Sequence, residues 1–523
     1  MRKTTVAIVG SGIIGTTLAH ILSRNGFAVE IFEKGPVYPY PHSEPFTERI
    51  FYLYSNPRYR LPKDLKNHTL SGVYQHDLEK ERGMVVGGSG TYWTGLTIRM
   101  HPNDFKTRSL YGYGQDWPFT YEDLEPYYGL AERFMGVSGT DADNPFAPPR
   151  SQPYPLPEFK LSYDDTLLAE RLRKNNITLH TTPQATARHP YDGRDGCENF
   201  GTCSVCPIGA RYSPNHHLER LINEGLCKLH TNVSVRRVVL DPAGQAKALV
   251  YQPNEGGGEK EHPADIIIVA AAAIESSRLL LLSKSSQHPD GLGNAGGQVG
   301  RHITFHHLWN GLLRYKEKLF PGRIGPMTGQ SQQFLDPPAR GQHGGIKVEF
   351  ASAPGFRKII KKWGDEQKIY KDLQPRLYSR GIVLHSESAP SAKKYISLSE
   401  KKDRFGDPFA HVHYECSEFD HETYRFAREL FDRFATATQG EKIHLDALEA
   451  FDSGAHHLGG CRMGLNARDS VVDQYGKLHS CANLFLAGGS LFPGTSGAVN
   501  PTLTMAALAF RAGDYIVDQF KNK

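Results

Sequence analysis

The chain has 523 residues, of which 39% are hydrophobic and 22% are charged, as is typical of a globular protein. This length exceeds the ~100–200 residues of a single domain, so we expect two closely joined domains. The formal net charge of +5 is small for this length and comes without a dense cluster of lysine and arginine, which argues against a nucleic-acid partner.

The sequence predicts no transmembrane segment. Its longest apolar run, residues 266–282, contains a glutamate, two serines and an arginine and is shorter than the ~20 residues of a membrane span. The N-terminus turns apolar directly after Met1-Arg2-Lys3, but glycines interrupt this stretch and no cleavage site follows. We therefore expect a cytoplasmic protein, with export beside a partner subunit that carries the signal as the alternative.

The N-terminal segment has the order strand, glycine turn, helix, strand, acid. Residues 5–9 are predicted to form a buried parallel strand, residues 16–24 a helix, and residues 28–32 a second strand that ends at Glu33. Between the first strand and the helix lies the sequence GSGIIG, residues 10–15. This order predicts a dinucleotide-binding unit.

The residues of this unit have separate tasks. Gly10 permits the tight turn, Gly12 lets the backbone approach a pyrophosphate, and Gly15 lets the helix pack closely on the strand. Glu33 would accept hydrogen bonds from an adenosine ribose, and the helix N-terminus would attract the phosphates. The pattern by itself does not distinguish NAD from FAD.

Three of the seven cysteines lie close together in the sequence. Cys197, Cys203 and Cys206 share a loop rich in glycine and proline, with the spacing C-x5-C-x2-C. Thiolates at this spacing suit an iron–sulfur cluster or zinc, although three ligands leave a tetrahedral zinc incomplete. Reduced thiols in a buried loop, or one disulfide, are the alternatives, because seven cysteines over this length do not indicate a disulfide framework.

Shorter patterns follow in the second half of the chain. Residues 348–350, 382–384 and 411–414 are predicted to be strands of one sheet, followed by a helix at about residues 420–437. The glycine-rich residues 253–259 predict a hairpin tip.

The C-terminal segment favours a flavin. Residues 483–490 are predicted to form a buried strand that enters a glycine turn, and a helix then opens at Asn500 and Pro501. Asn500 suits the N-cap and Pro501 the first helical turn. A second helix N-terminus would then face an electron-rich group, such as the pyrimidine oxygen of a flavin.

Four segments are the most specific part of the sequence: VVGGSGTYW at 85–93, WPFTYEDLEPYY at 117–128, VGR at 299–301 and HHLGGCRMG at 456–464. Together with both ends of the chain, they resemble the glucose–methanol–choline (GMC) flavin oxidoreductases. Residues 402–408 and 497–504 look most like the sugar-oxidising branch. That branch includes FAD glucose and gluconate dehydrogenases, pyranose oxidases and C-glycoside 3-oxidases.

The resemblance implies the α/β GMC fold. In that fold a Rossmann-like FAD-binding domain is interleaved with an α+β substrate domain built on an antiparallel sheet. The FAD-binding domain is expected from residues 1–150, 185–305 and 451–523. The substrate domain is expected from residues 306–450, with parts of 151–184.

The resemblance also implies which residues hold FAD. Tyr92 stands where pyranose oxidases have a histidine bonded to FAD, so we expect FAD to be bound without a covalent link. Ala272 stands where the family usually has glycine, which adds one methyl group at the flavin site. The expected FAD contacts are Gly10, Gly12, Ile13, Ile14, Gly15, Glu33, Lys34, Gly87, Gly88, Thr91, Tyr92, Trp93, Val235, Ala271, Gly489, Asn500, Pro501 and Thr502.

Oxidation of an alcohol by a flavin moves a hydride from carbon to flavin N5 and a proton from oxygen to a base, a task that suits a neutral histidine. The resemblance, counted from Met463, assigns the base to His456 and makes Asn500 the second member of the pair. A shift of one residue would make His457 the base. The implied reaction is oxidation of a secondary or anomeric hydroxyl of a sugar or glycoside, with the flavin reoxidised by oxygen or another acceptor.

Other functions stay open at this point. FAD glucose dehydrogenases have a similar cysteine stretch that is thought to hold a three-iron cluster, so an electron-relaying sugar dehydrogenase with a cluster at Cys197, Cys203 and Cys206 is one alternative. An NAD-dependent dehydrogenase, a relative that uses FAD only structurally and an inactive binding subunit are others. The sequence leaves the substrate, the acceptor and the assembly open, whether a homo-oligomer or a complex with a small partner subunit.

Overall fold

A computed structural model describes residues 3–37, 67–74, 78–199, 206–320, 327–351, 367, 370–371, 374–495 and 497–521. Within these residues no helix is long and apolar enough to cross a bilayer. The helices are α1 Ile13–Arg24, α2 Leu78–Glu81, α3 Thr107–Tyr111, α4 Tyr121–Met135, α5 Tyr163–Arg173, α6 Asn215–Asn223, α7 Ala272–Leu282, α8 Glu418–Thr438 and α9 Thr502–Phe520.

The strands of the described part of the chain form five sheets. Their bounds are β1 Thr5–Val9, β2 Ala28–Phe32, β3 His68–Gly72, β4 His180–Thr181, β5 Cys227–His230, β6 Val233–Leu240, β7 Ala246–Pro253, β8 Lys260–Pro263, β9 Ile266–Val269, β10 Thr304–Phe305, β11 His307–Arg314, β12 Met327–Ser331, β13 Ile346–Ala351, β14 Ser379–Ser386, β15 Lys394–Lys402, β16 Pro408–Tyr414, β17 Glu441–Leu445, β18 His457–Leu458 and β19 Leu484–Leu486.

A five-stranded parallel sheet contains the predicted dinucleotide-binding unit. Its strand order is β19-β9-β1-β2-β5, and all of its pairings are parallel. Strands β1 and β2 have the predicted bounds. Helix α1 begins at Ile13, three residues earlier than predicted, with Gly12 as its N-cap. Helices cover the sheet, and residues such as Ile8, Ile267 and Leu486 are fully buried between the layers.

Two glycines bring α1 onto the strand ends. Gly10 has φ +100°, and a Cβ atom there would lie 2.6 Å from the carbonyl oxygen of Ala270. A Cβ atom on Gly15 would lie 2.0 Å from the carbonyl oxygen of Gly10. Both distances are too short for any side chain, so the predicted roles of these glycines in the tight turn and the close packing follow from sterics.

A six-stranded antiparallel sheet has the order β17-β11-β14-β13-β12-β4. Ile346, Val348 and Phe350 in β13 point to one face, where they pack in an apolar core with residues of α8. Lys347 and Glu349 alternate with them and therefore point to the opposite face, where they are also buried. The predicted strands at 348–350 and 382–384 belong to this sheet, as parts of β13 and β14.

The prediction that residues 411–414 join the same sheet was wrong. These residues belong to β16, which pairs antiparallel with β15 and parallel with β3 in a separate three-stranded sheet. Strand β3 comes from a distant part of the chain, since His68 pairs with Ala410. A local pattern of apolar and polar residues does not specify such a partner.

A buried ion pair joins the hairpin β15–β16 region to α8. The Lys394 ammonium donates to Asp420 Oδ2 at 2.6 Å and to Ser388 Oγ at 2.7 Å, and both charged side chains are fully buried. Ser417, the N-cap of α8, also donates its backbone N–H to Asp420 Oδ2 at 2.7 Å. Burial alone would raise the pKa of Asp420, but Lys394, His307 and these hydrogen bonds outweigh it and lower the pKa to about 2.

We predict that Asp420→Asn lowers the free energy of unfolding by about 3–5 kcal/mol, because it leaves the buried Lys394 ammonium without its counter-charge. Urea denaturation at neutral pH measures this loss. The matched control on the same helix is Asp432→Asn, since the ion pair of Asp432 with Lys442 is more than half exposed and should contribute less than about 1 kcal/mol.

The pH dependence has a defined sign. Because the folded pKa of Asp420 lies below its ordinary value of 3.8, the stabilisation is fully present above about pH 4 and is lost as the pH falls through about 2. The stability difference between the wild type and Asp420→Asn should therefore narrow over this range. A constant difference down to pH 2 would contradict the ion-pair explanation.

Candidate active site

A cavity of about 480 Å³ extends from the glycine turn after β1 to the loop before β18. This volume lies within the roughly 300–1,000 Å³ of small-molecule and cofactor sites. Most of the residues predicted to contact the cofactor line it, although they come from distant parts of the sequence. Those in its wall are Gly10, Gly12, Ile13, Ile14, Glu33, Lys34, Gly88, Tyr92, Trp93, Val235, Ala271, Gly489, Asn500, Pro501 and Thr502.

The other three predicted contacts lie behind the wall and shape it. Gly15 packs against Gly10, as described above. Gly87 has φ +90° and donates its backbone N–H to Ser11 Oγ at 3.0 Å, and Thr91 Oγ1 donates to the carbonyl oxygen of Gly88 at 2.9 Å. The first bond holds the 85–93 loop against the glycine turn, and the second closes a turn within the loop.

The end of the cavity near β2 fits the ADP half of a dinucleotide. A Cβ atom built on Gly12 would meet no atom of the described residues within 4 Å, so the backbone there is open to a close approach by a ligand. Glu33 is buried, and its two carboxylate oxygens accept hydrogen bonds from Ser11 Oγ at 2.7 Å and from the backbone N–H of Gly35 at 2.9 Å. The N-terminus of α1 supplies the positive end of a helix dipole beside this space.

A hairpin tip covers the same end of the cavity. Asp403 and Asp407, in the turn between β15 and β16, both line the cavity. Arg236 binds Asp407 through two hydrogen bonds of 2.7 Å, and Arg278 binds Asp403 at 2.8 Å. The sequence motif at 402–408 contributed to the family resemblance. Nothing in its sequence indicated that Arg236 and Arg278 would hold this turn against the cavity.

Ala272 lies in the cavity wall at the start of α7 and has φ +59°, in the left-handed region that favours glycine. This is the position at which the family resemblance led us to expect glycine. The side chain therefore adds backbone strain as well as the extra methyl group predicted from the sequence.

At the opposite end, His456 and Asn500 both line the cavity. Asn500 Oδ1 accepts a hydrogen bond of 2.5 Å from the Lys347 ammonium, which is itself paired with Glu349. The prediction that Asn500 is the N-cap of the last helix was wrong, because Pro501 is the N-cap and no side chain caps α9. The amide oxygen that would have capped the helix is instead engaged by a residue of β13.

The adjacent histidines have different partners. His457 Nε2 lies 2.9 Å from Glu81 Oε2, which also accepts from Ser453 Oγ at 2.7 Å and from the Tyr74 hydroxyl. Although burial opposes ionisation of Glu81, the hydrogen bond from His457 and the other partners lower its pKa to about 2. His457 is thus tied to a carboxylate.

The neighbours of His456 are mainly basic, and Glu349 is the acidic group that acts against them. Its Nδ1 lies 3.1 Å from Nδ1 of His306, and its ring stacks on that of His385 with the centroids 5.3 Å apart. Burial, followed by His306, His385 and Lys347, holds the pKa of His456 well below its usual range. His456 is therefore neutral at neutral pH, as a general base must be.

The sequence did not identify His306, His385, Lys347 or Glu349. One ring nitrogen from each of His306, His385 and His456 lies within 4.8 Å of the other two. The only sequence signal for His306 is its position a few residues after the motif at 299–301. No short spacing links it to His456.

The cysteine cluster is described only in part, because Cys203 lies outside the described residues. Cys197 and Cys206 are free thiols. Burial raises the pKa of Cys197, which favours the neutral thiol over the thiolate that a metal requires. The iron–sulfur cluster stays a prediction.

Comparison with known proteins identifies the class. The GMC oxidoreductase family models match residues 8–308 and 390–509, so the chain belongs to the GMC oxidoreductase family. It is 30% identical to the fructose dehydrogenase large subunit of Gluconobacter japonicus over 99% of this chain and 98% of that protein. It is 25% identical to the gluconate 2-dehydrogenase flavoprotein of Pantoea cypripedii over 99% and 94%.

A solved structure shows the same fold. A variant of formate oxidase from Aspergillus oryzae matches with a TM-score of 0.71 and 15% identity over the full length of both chains. The predicted family and the predicted α/β GMC fold are confirmed, and the chain is an oxidoreductase that acts on CH–OH groups. The family is FAD-binding, and the residues around the cavity fit that cofactor.

We predict that Ala272→Gly raises the free energy of unfolding by about 1 kcal/mol, because glycine adopts φ +59° without the steric cost that alanine has there. Urea denaturation of the FAD-loaded protein measures the change. The control is Ala273→Gly, one residue further into α7, where loss of a buried methyl group and of helix propensity should destabilise. If both variants were destabilised equally, the strain at Ala272 would be disproved.

Proposed function

We propose that the protein oxidises a secondary or anomeric hydroxyl of a sugar or glycoside, with non-covalently bound FAD as the hydride acceptor and His456 as the base. The observation that carries the proposal is that a neutral histidine and an amide side chain line the same cavity as the dinucleotide-type glycine turn. The similarity to a fructose dehydrogenase and a gluconate dehydrogenase supports the choice of a sugar.

In this proposal Asn500 binds the oxygen of the substrate hydroxyl and His456 binds its hydrogen. Because Lys347 engages Oδ1 of Asn500, the NH2 group of the amide is the end that donates to the hydroxyl oxygen. The hydroxyl hydrogen points to His456, which accepts the proton as the hydride leaves carbon. Holding the oxygen from two sides aligns the C–H bond for transfer.

His456 is favoured over His457 as the base because of their partners. Because the Glu81 carboxylate only accepts, Nε2 of His457 donates its hydrogen there, and that nitrogen is not available to accept a substrate proton. Among the described residues, the ring contacts of His456 are with His306 and His385 rather than with a carboxylate, and His456 is neutral.

The test is anaerobic mixing of the yellow protein with a panel of sugars and glycosides, followed by absorbance of the flavin. We expect bleaching by at least one sugar in the wild type. His456→Gln should retain FAD but lower the rate of bleaching by about 10²–10⁴-fold. His457→Gln serves as the comparison. A larger loss in His457→Gln than in His456→Gln would exchange their roles, and a protein that no sugar bleaches would refute the function.

The second test concerns the link to FAD. Tyr92 lines the cavity where a histidyl bond would form, and burial raises its pKa to about 12, so its phenol stays neutral. Acid precipitation should release the flavin completely into the supernatant. Yellow colour retained in the precipitate would contradict non-covalent binding.

The electron acceptor is tested on the same preparation. We propose that oxygen or another acceptor reoxidises the flavin. Because one relative is the large subunit of a fructose dehydrogenase, transfer of the electrons to a small partner subunit is the alternative. Admitting oxygen after bleaching and recording the rate at which the yellow colour returns distinguishes an oxidase from a dehydrogenase. Iron analysis of the sample tests the cluster at Cys197, Cys203 and Cys206.

A further inference from the structure

His306 is a buried histidine in direct contact with His456. It follows β10, is fully buried and comes from a part of the chain 150 residues before His456. The planes of the two rings are perpendicular, with centroids 5.1 Å apart. His306 therefore approaches the edge of the His456 ring through a nitrogen atom, at the Nδ1–Nδ1 distance of 3.1 Å.

The backbone determines which nitrogen of His306 carries hydrogen. His306 Nε2 lies 2.8 Å from the carbonyl oxygen of Gly497. A carbonyl oxygen only accepts, so Nε2 must be the donor. Burial lowers the pKa of His306 to about 3, so the ring is neutral and its Nδ1 has a lone pair instead of a hydrogen.

The same reasoning extends one ring further. Two lone pairs do not attract each other, so the 3.1 Å contact requires that His456 Nδ1 carries the hydrogen and donates it to His306 Nδ1. In a neutral imidazole the remaining nitrogen, His456 Nε2, is then the unprotonated one. The chain of donors runs from His456 through His306 to the carbonyl of Gly497.

We infer that His306 is a positioning residue that holds His456 in the tautomer whose Nε2 accepts the substrate proton. This inference rests on the proposed role of His456 as the base. His306 does not take the proton itself, because its own hydrogen is committed to a backbone carbonyl. His385 packs on the face of His456 and at the edge of His306, with centroids 4.6 Å from the latter, and so restrains the plane of the ring.

The first experiment reads the tautomer directly and does not depend on turnover. Holoprotein labelled with [15N]histidine is studied by NMR at neutral pH, and the His456 signals are assigned by their loss in His456→Gln. We expect a protonated Nδ1 and an unprotonated Nε2 at His456. The opposite pattern would overturn the inference, as would a stoichiometric transition metal in the purified protein, because metal on the Nδ1 atoms would exclude the shared hydrogen.

The second experiment measures anaerobic flavin reduction with a sugar that bleaches the wild-type flavin in the panel. His306→Phe should slow reduction by roughly 10–100-fold, the range typical of lost orientation by a supporting residue, with little change in substrate affinity. His306→Asn should recover part of the rate, since its Oδ1 can accept from His456 Nδ1. Equal rates in the Phe and Asn variants would indicate packing alone and refute the inference.

The control is His307→Phe, which removes a buried imidazole one position further along the chain. His307 Nε2 bonds with the Tyr414 hydroxyl at 3.0 Å, and the ring packs on Phe451. Flavin reduction in this variant should stay close to the wild-type rate. If no sugar reduces the wild type, the proposed function fails, while the NMR result still decides the tautomer of His456.

Discussion

Backbone contacts that only glycine allows bring the strand ends together at the cofactor cavity. Gly10 touches the carbonyl of Ala270 at the end of β9, and Gly15 touches Gly10, so α1 begins against the ends of two neighbouring strands. A methyl group at Gly10 or Gly15 would separate these segments. The N-terminus of α1, the end of β9 and the glycine turn after β19 then border one space.

The antiparallel sheet supports the other end of that space through two strands, since His385 of β14 stacks on His456 and β13 supplies Lys347. Alternation along β13 sends its apolar side chains to the core beneath α8 and sends Lys347 and Glu349 to the opposite face. Lys347 reaches Asn500 at the entry to α9, and so connects the antiparallel sheet to the cofactor wall. Buried charges are costly unless they are paired, and Glu349 supplies the counter-charge.

Two neighbouring histidines show how tertiary contacts separate residues of the same type. His457 lies beside the Glu81 carboxylate, whereas His456 lies among imidazoles and near the Lys347 ammonium. The first environment commits Nε2 of His457 to a carboxylate, and the second favours a neutral ring at His456. Strain is present in the same wall, since Ala272 has the backbone conformation of a glycine. The site thus combines a neutral histidine with a local cost in stability.

The sequence by itself determined the β1–α1–β2 unit, its glycines and Glu33, because a turn between a strand and a helix is specified by neighbouring residues. The family resemblance predicted His456 and Asn500 as site residues, and both line the cavity, but the separate expectation that Asn500 caps the last helix was wrong. Only the tertiary structure decided that β16 pairs with β3, that Lys347 holds Asn500 and that His306 contacts His456. The last two contacts join residues about 150 positions apart, and no local spacing encodes such pairs.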